Sequence, residues 1–84
     1  MISPILQITP TSVTVIDANG VDQTIPITLT PRRRFLTQAT KRAILSTGFL
    51  LRYGEDLATD RGVINKVLEE IRQEILRRHG GVEQ

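Results

Sequence analysis

Three consecutive arginines, Arg32-Arg33-Arg34, followed by Lys41 and Arg42 and then by Arg52, are the residues of this 84-residue chain best suited to chemistry. A guanidinium is a planar fork of several donors that matches a carboxylate or a phosphate, whereas lysine offers a single solvated point charge. Nine of the eleven basic residues are arginine. If a helix starts at Thr30-Pro31, the three cations occupy its positive end, where each costs about 0.3–1 kcal/mol. That placement is the wrong sign for helix stability. On a helical wheel Arg34, Lys41 and Arg52 share one face, opposite a stripe of Leu36, Ala39, Ala43 and Leu50. The pattern predicts that Arg32, Arg33, Arg34, Lys41, Arg42 and Arg52 contact an anion or an acidic partner. The plainer alternative is a solvated helix face with local salt bridges.

Covalent chemistry finds little to work with. There is no cysteine, which excludes a disulfide scaffold, a thiolate metal site and a cysteine nucleophile. The one histidine, His79, precedes Gly80-Gly81 and reads as a charge at a helix C-terminus rather than a catalytic base. Glu55/Asp56 and Glu69/Glu70 are adjacent pairs, and helix neighbours point about 100° apart, so they do not converge as paired catalytic acids. Glycines 20, 48, 54, 62, 80 and 81 are spread as turn and cap residues and form no phosphate-cradling loop. The expectation is a protein that is not an enzyme, with no catalytic, cofactor-binding or metal residues, no cofactor and no small-molecule substrate.

A chain of 84 residues has room for one modest core, and it buries about 60–65% of the surface exposed by its unfolded form. It is expected to be a single small domain, with a β half over 1–30, a two-helix half over 31–80 and a tail over 81–84. The composition, 24% charged and 39% hydrophobic with a net charge of +2, is that of an ordinary globular protein. No apolar run approaches the roughly 20 residues of a membrane span. The start, Met1-Ile2-Ser3-Pro4-Ile5-Leu6, has no basic region ahead of a long apolar one and predicts no secretory signal. A cytoplasmic location, or a virion assembled there, is the expectation.

In the β half, Asn19-Gly20 lies between two β-branched runs and signals a hairpin. A two-residue turn would scatter the apolar residues over both faces. A three-residue loop, Ala18-Asn19-Gly20, with Gly20 at positive φ, pairs Val13 with Ile25 and Asp17 with Val21. Val13, Val15, Val21, Ile25, Ile27 and Leu29 then share one face, so the apolar pattern selects the bulged loop. Pro26 donates no hydrogen bond and places its strand at an edge. Ile5-Leu6-Gln7-Ile8, between Pro4 and Pro10, reads as a third strand or an arm. In the α half, a first helix is predicted from Thr30-Pro31. It either ends at Gly48 with Phe49 folding back or runs on to Gly54, and the stripe through Leu50 favours the longer helix. A second helix is predicted from about Asp60 to His79, with a seam of Ile64, Val67, Leu68, Ile71 and Ile75 and with Lys66–Glu70 and Glu74–Arg78 as supporting pairs. The predicted fold is α+β: an N-terminal β-hairpin, with or without a third strand, followed by two amphipathic helices packed on its apolar face.

The order of Thr24 to Leu29 running into Thr30-Pro31-Arg32 and two helices resembles the ribbon-helix-helix DNA-binding family over residues 23–79. That resemblance implies a strand in the major groove and base or phosphate contacts by Gln23, Thr24, Thr28 and Arg32. Pro26 in the ribbon, an intrachain partner for the strand, and the long Phe49–Thr59 stretch between the helices depart from that family's pattern. The apolar surplus points elsewhere. Ile5, Leu6, Ile8, Ile16, Leu45, Phe49 and Leu51 do not all fit one small core, and apolar residues rimmed by arginine suit a protein–protein surface, predicted to use Ile2, Ile5, Leu6, Ile8, Ile16, Leu45 and Leu51. The expectation is a non-catalytic assembly module, a small structural or adaptor subunit of a homo-oligomer or larger complex, of the kind that serves as a phage or virion component. The alternative is a nucleic-acid binder using Arg32–Arg34.

Overall fold

The computed structural model describes residues 4–79. Its elements are three strands, β1 (Ile5–Thr9), β2 (Ser12–Ile16) and β3 (Asp22–Pro26), then α1 (Gln38–Ser46), a 3₁₀ helix (Phe49–Tyr53), a one-turn α2 (Glu55–Ala58) and the long α3 (Arg61–Arg78). The strands form one antiparallel sheet in the order β1-β2-β3. The chain is thus an α+β protein, with the third strand present.

The β2–β3 register is the one that the apolar pattern selects. Val13 pairs with Ile25, the Asp17 N–H donates to the Val21 carbonyl at 2.9 Å, and Gly20 has φ +83°. Val13 and Val15 are fully buried, and Ile25, Ile27 and Leu29 lie against the core. Val21 departs from the predicted face: it belongs to the loop and is 54% exposed. Strand β1 resolves the choice between strand and arm, and it shows why the sequence left that choice open. Ile5 pairs with Val15 and Ile8 with Val13, so a register shift between Ile5 and Gln7 accommodates an extra residue. The bulge turns Leu6 and Gln7 outward and puts Ile5 and Ile8, three positions apart, on the core side. A period of two cannot reveal that spacing.

The first helix differs most from expectation. It starts at Gln38, capped by the Thr37 hydroxyl, which accepts from the Thr40 N–H. Residues 30–37 instead turn back on the preceding segment, with a Leu29–Leu36 bridge and the Thr37 N–H donating to the Thr28 carbonyl at 3.1 Å. Buried Thr40 fastens this return, since its hydroxyl oxygen accepts from the Thr28 N–H at 3.0 Å. Thr30-Pro31 is therefore no helix start, and the arginines never meet a helix dipole. The continuous helix to Gly54 is also absent. Gly48 takes φ +73° and ends α1, Phe49 folds back to become fully buried, and the 3₁₀ helix follows.

Helix α3 matches its prediction, with Asp60 Oδ1 accepting from the Gly62 and Val63 N–H groups at its start. Of the two predicted pairs Glu74–Arg78 forms, at 2.7 Å, while Glu74 also meets Arg77. No ion pair joins Lys66 and Glu70, and Glu69 pairs with Arg72 instead. The buried cluster draws Val13 and Val15 from the sheet together with Leu36, Ile44, Phe49, Leu50, Leu68, Ile71 and Ile75. Among the described residues no helix is long and apolar enough to cross a membrane.

Candidate functional site

The arginine triplet sits at the tip of a closed loop. Thr30 closes it twice: its N–H donates to the Phe35 carbonyl at 2.8 Å, and its hydroxyl accepts from the Phe35 N–H at 3.0 Å. The Arg34 N–H donates to the Thr30 carbonyl at 3.1 Å, and Arg34 itself has φ +54°, the left-handed region that costs a non-glycine residue about 1–2 kcal/mol. An arginine from α3 offsets that cost. Arg72 donates Nε to the Arg34 carbonyl at 2.7 Å, Nη2 to the Arg33 carbonyl at 3.0 Å and Nη1 to Glu69 at 2.8 Å. Its guanidinium carbon lies 4.8 Å from the centre of the Phe35 ring, a cation–π contact. With its side chain only 15% exposed, Arg72 is a bolt between α3 and the loop backbone.

Holding the backbone in this way leaves the loop's own charges unspent. Arg32, Arg33 and Arg34 are exposed, and their side chains have no hydrogen-bond or ion-pair partner among the described residues. Lys41 stands beside the loop on α1 and lines a cleft of about 200 Å³ with Phe35, Leu36, Leu68, Glu69 and Arg72. It also lines the adjoining α1–α3 groove, with Arg42 and Leu45. Glu69 is an acid that lines this cleft. A hydrogen bond from the Gln73 amide holds its carboxyl below the ordinary range first of all, and the bond and charge of Arg72 and the charge of Lys41 add to that against the opposing effect of burial.

Arg52 lies elsewhere. The single face of Arg34, Lys41 and Arg52 required one helix over residues 31–53, and that helix does not exist. On the 3₁₀ helix, Arg52 donates Nε to the Asp17 carbonyl at 3.3 Å. Asp17 organises the β2–β3 corner. Its Oδ1 accepts from the Asn19 and Val21 N–H groups at 2.8 and 2.9 Å, and its Oδ2 accepts from the Gln23 amide at 2.9 Å. The Val21 N–H bond comes first among the causes that depress its pKa, followed by Gln23, with Asn19 and the charge of Arg52 smaller.

The apolar residues predicted for an interface divide. Ile5 and Ile8 are half-buried against the core and form no free arm, and Ile16 is half-buried. Leu6, Leu45 and Leu51 are exposed, while Ile2 lies outside the described residues. Phe35 and Leu57 join the exposed group. Sequence reasoning missed Arg72, the residue on which the loop depends. Its only signal is a Glu three positions before it, a spacing too common on helices to stand out. His79 is exposed at the end of α3, where its N–H donates to the Ile75 carbonyl. Among the described residues no three His, Asp or Glu side chains cluster as metal ligands.

The ribbon-helix-helix resemblance meets a different connection. Residues 27–37 separate β3 from α1, so the strand does not feed a helix, and β3 pairs with β2 of its own chain. No family model, curated protein or solved structure matches this chain.

Proposed function

We propose that the chain is a non-catalytic protein–protein assembly module, a structural or adaptor subunit of a homo-oligomer or larger complex in the cytoplasm or in a virion assembled there. The observation that supports this reading best is the bolted loop: Arg72 fixes a backbone that presents, beside exposed Phe35, three guanidinium groups unpaired among the described residues. Preordered arginines next to apolar surface suit an interface that meets carboxylates at its rim. The same guanidinium groups suit phosphates, and nucleic acid is the competing partner. Bases need aromatic platforms to stack on. Phe49 is buried, Tyr53 is half-buried, and Arg72 lies against Phe35, so the stacking surface is small.

Size-exclusion chromatography with light scattering, with and without a short mixed-sequence DNA duplex, tests the proposal. A mass above the 9.4 kDa of one chain that ignores the duplex supports self-assembly. A mass that shifts only when duplex is added at low salt overturns it in favour of phosphate recognition.

A further inference from the structure

Unpaired cations are concentrated on one part of this molecule. Of the eight without an ion-pair partner among the described residues, Arg32, Arg33, Arg34, Lys41 and Arg42 gather on the loop and on α1, while Arg52 donates to the Asp17 carbonyl and Arg61 and Lys66 lie on α3. Four of the eight described carboxylates are already engaged. Asp17 holds the β2–β3 corner, Asp60 caps α3, Glu69 meets Arg72, and Glu74 meets Arg77 and Arg78. Of the acids left without such partners, Asp22 and Glu70 stand singly, whereas Glu55 and Asp56 are adjacent on α2. They are followed by Leu57, 42% exposed, on a turn that Thr59 closes by bonding back to the Glu55 carbonyl. Two carboxylates and a leucine within one turn complement three guanidinium groups beside an apolar cleft. The two features do not meet within one chain. The acidic turn adjoins the start of α3, and the Arg72 bolt lies eleven residues along it, about 16 Å away.

We propose, resting on the assembly reading, that the Glu55-Asp56-Leu57 turn of one copy docks on the Arg32–Arg34 loop and Phe35–Lys41 cleft of a second copy. Leu57 enters the cleft, and Glu55 and Asp56 pair with the loop guanidinium groups and Lys41. The docking proposed is one-way: the docked pair keeps one free face of each kind, so the assembly grows into a ring or an open filament, whereas a reciprocal contact about a two-fold axis would close a dimer. Because the loop backbone is already fixed by Arg72, docking orders side chains alone.

Two variants with neutralised charge test this. One carries R32Q, R33Q and R34Q, and the other carries E55Q and D56N. None of these side chains makes a hydrogen bond or ion pair among the described residues, and unchanged melting curves confirm that both variants fold. In light scattering at low salt over a concentration series, the unmodified chain is expected to rise past twice 9.4 kDa without a dimer plateau. Each variant alone is expected to stay at the mass of one chain. Their equimolar mixture is expected to reach twice that mass and stop, because only one complementary pair of faces remains. A mixture of single chains overturns the proposed pairing. Variants that assemble as the unmodified chain does overturn it too, yet leave the assembly reading standing. An unmodified chain that stays single at every concentration overturns both this docking and the homo-oligomer.

Discussion

Two loops of this molecule are each held by an arginine that donates to backbone carbonyls, and they end in opposite electrostatic states. At the β2–β3 corner the arginine is Arg52, and the loop answers with Asp17, whose two oxygens take up two backbone N–H groups and the Gln23 amide. Ala18 then donates its N–H to the Thr47 carbonyl at 3.0 Å and seats the corner on the Gly48 turn. Local charge there is consumed. In the 30–35 loop the arginine is Arg72, which meets two carbonyls and the Phe35 ring, and the loop's own three guanidinium groups are exposed without partners among the described residues. Order and charge are independent properties of a loop: the first can come from a side chain outside it, which leaves the second free for a partner.

The comparison breaks most severely at the seated β2–β3 corner. Gly48 has φ +73°, and a β-carbon there would lie 3.0 Å from Ala18 Cβ, so Gly48→Ala strains the backbone and crowds the seated corner. A loss of about 1–3 kcal/mol is expected. That corresponds to a drop of roughly 4–8 °C in melting temperature per kcal/mol, read by calorimetry.

Next in size is Arg72→Met, which keeps an apolar stem but removes both carbonyl bonds, the Glu69 pair and the contact with Phe35. About 1–2 kcal/mol should be lost. Amide exchange should quicken over residues 32–35 and stay unchanged at the Asp17 corner. Equal quickening at both loops would show that they are one cooperative unit, and the contrast between them would fall.

A smaller effect separates the loops by pH. The carboxyls of Asp17 and Glu69 are both held below their ordinary values of 3.8 and 4.5. Folding therefore favours the ionised carboxylate of each, and the stability this supplies is complete above those ordinary values and lost as pH falls through the depressed ones. Melting temperature is expected to hold steady down to about pH 5 and then decline. Asp17→Asn should flatten the decline more than Glu69→Gln, because Asp17 serves two backbone amides. The smallest effect is R32Q/R33Q/R34Q, which should move stability by no more than about 0.5 kcal/mol while removing self-association. A large destabilisation there would mean that the triplet serves the fold.

The sequence was most informative where a rule of period or capping acts alone. The bulged β2–β3 loop followed from the one-residue slip that reverses every side chain, and α3 followed from its seam and its Asp60 cap. It was least informative where a distant side chain decides the local structure. Thr30-Pro31 satisfies every local condition for a helix start, yet the Thr28–Thr40 and Leu29–Leu36 contacts draw the chain back and move the start to Gln38. The unfavourable sign of three cations at a helix N-terminus was the clue that no helix begins there. Of the candidate site, the identity of the triplet could be read directly. Its bolt could not, because Arg72 reaches the loop only through the fold, and Arg52 was assigned to a face that depended on a helix the chain does not make.

The bulge at Leu6 has a bearing on how this sheet behaves in a crowded solution. A strand at the margin of a sheet offers unpaired N–H and C=O groups that can recruit strands from other molecules, the first step toward fibrous aggregates. Here β1 and β3 are the two margins. The irregular register between Ile5 and Gln7 interrupts the straight ladder on one side, and Pro26, which has no N–H to offer, ends the strand on the other. Both margins are spoiled as templates, so the sheet is guarded against endless extension by strand addition, and ordered growth is left to side-chain surfaces.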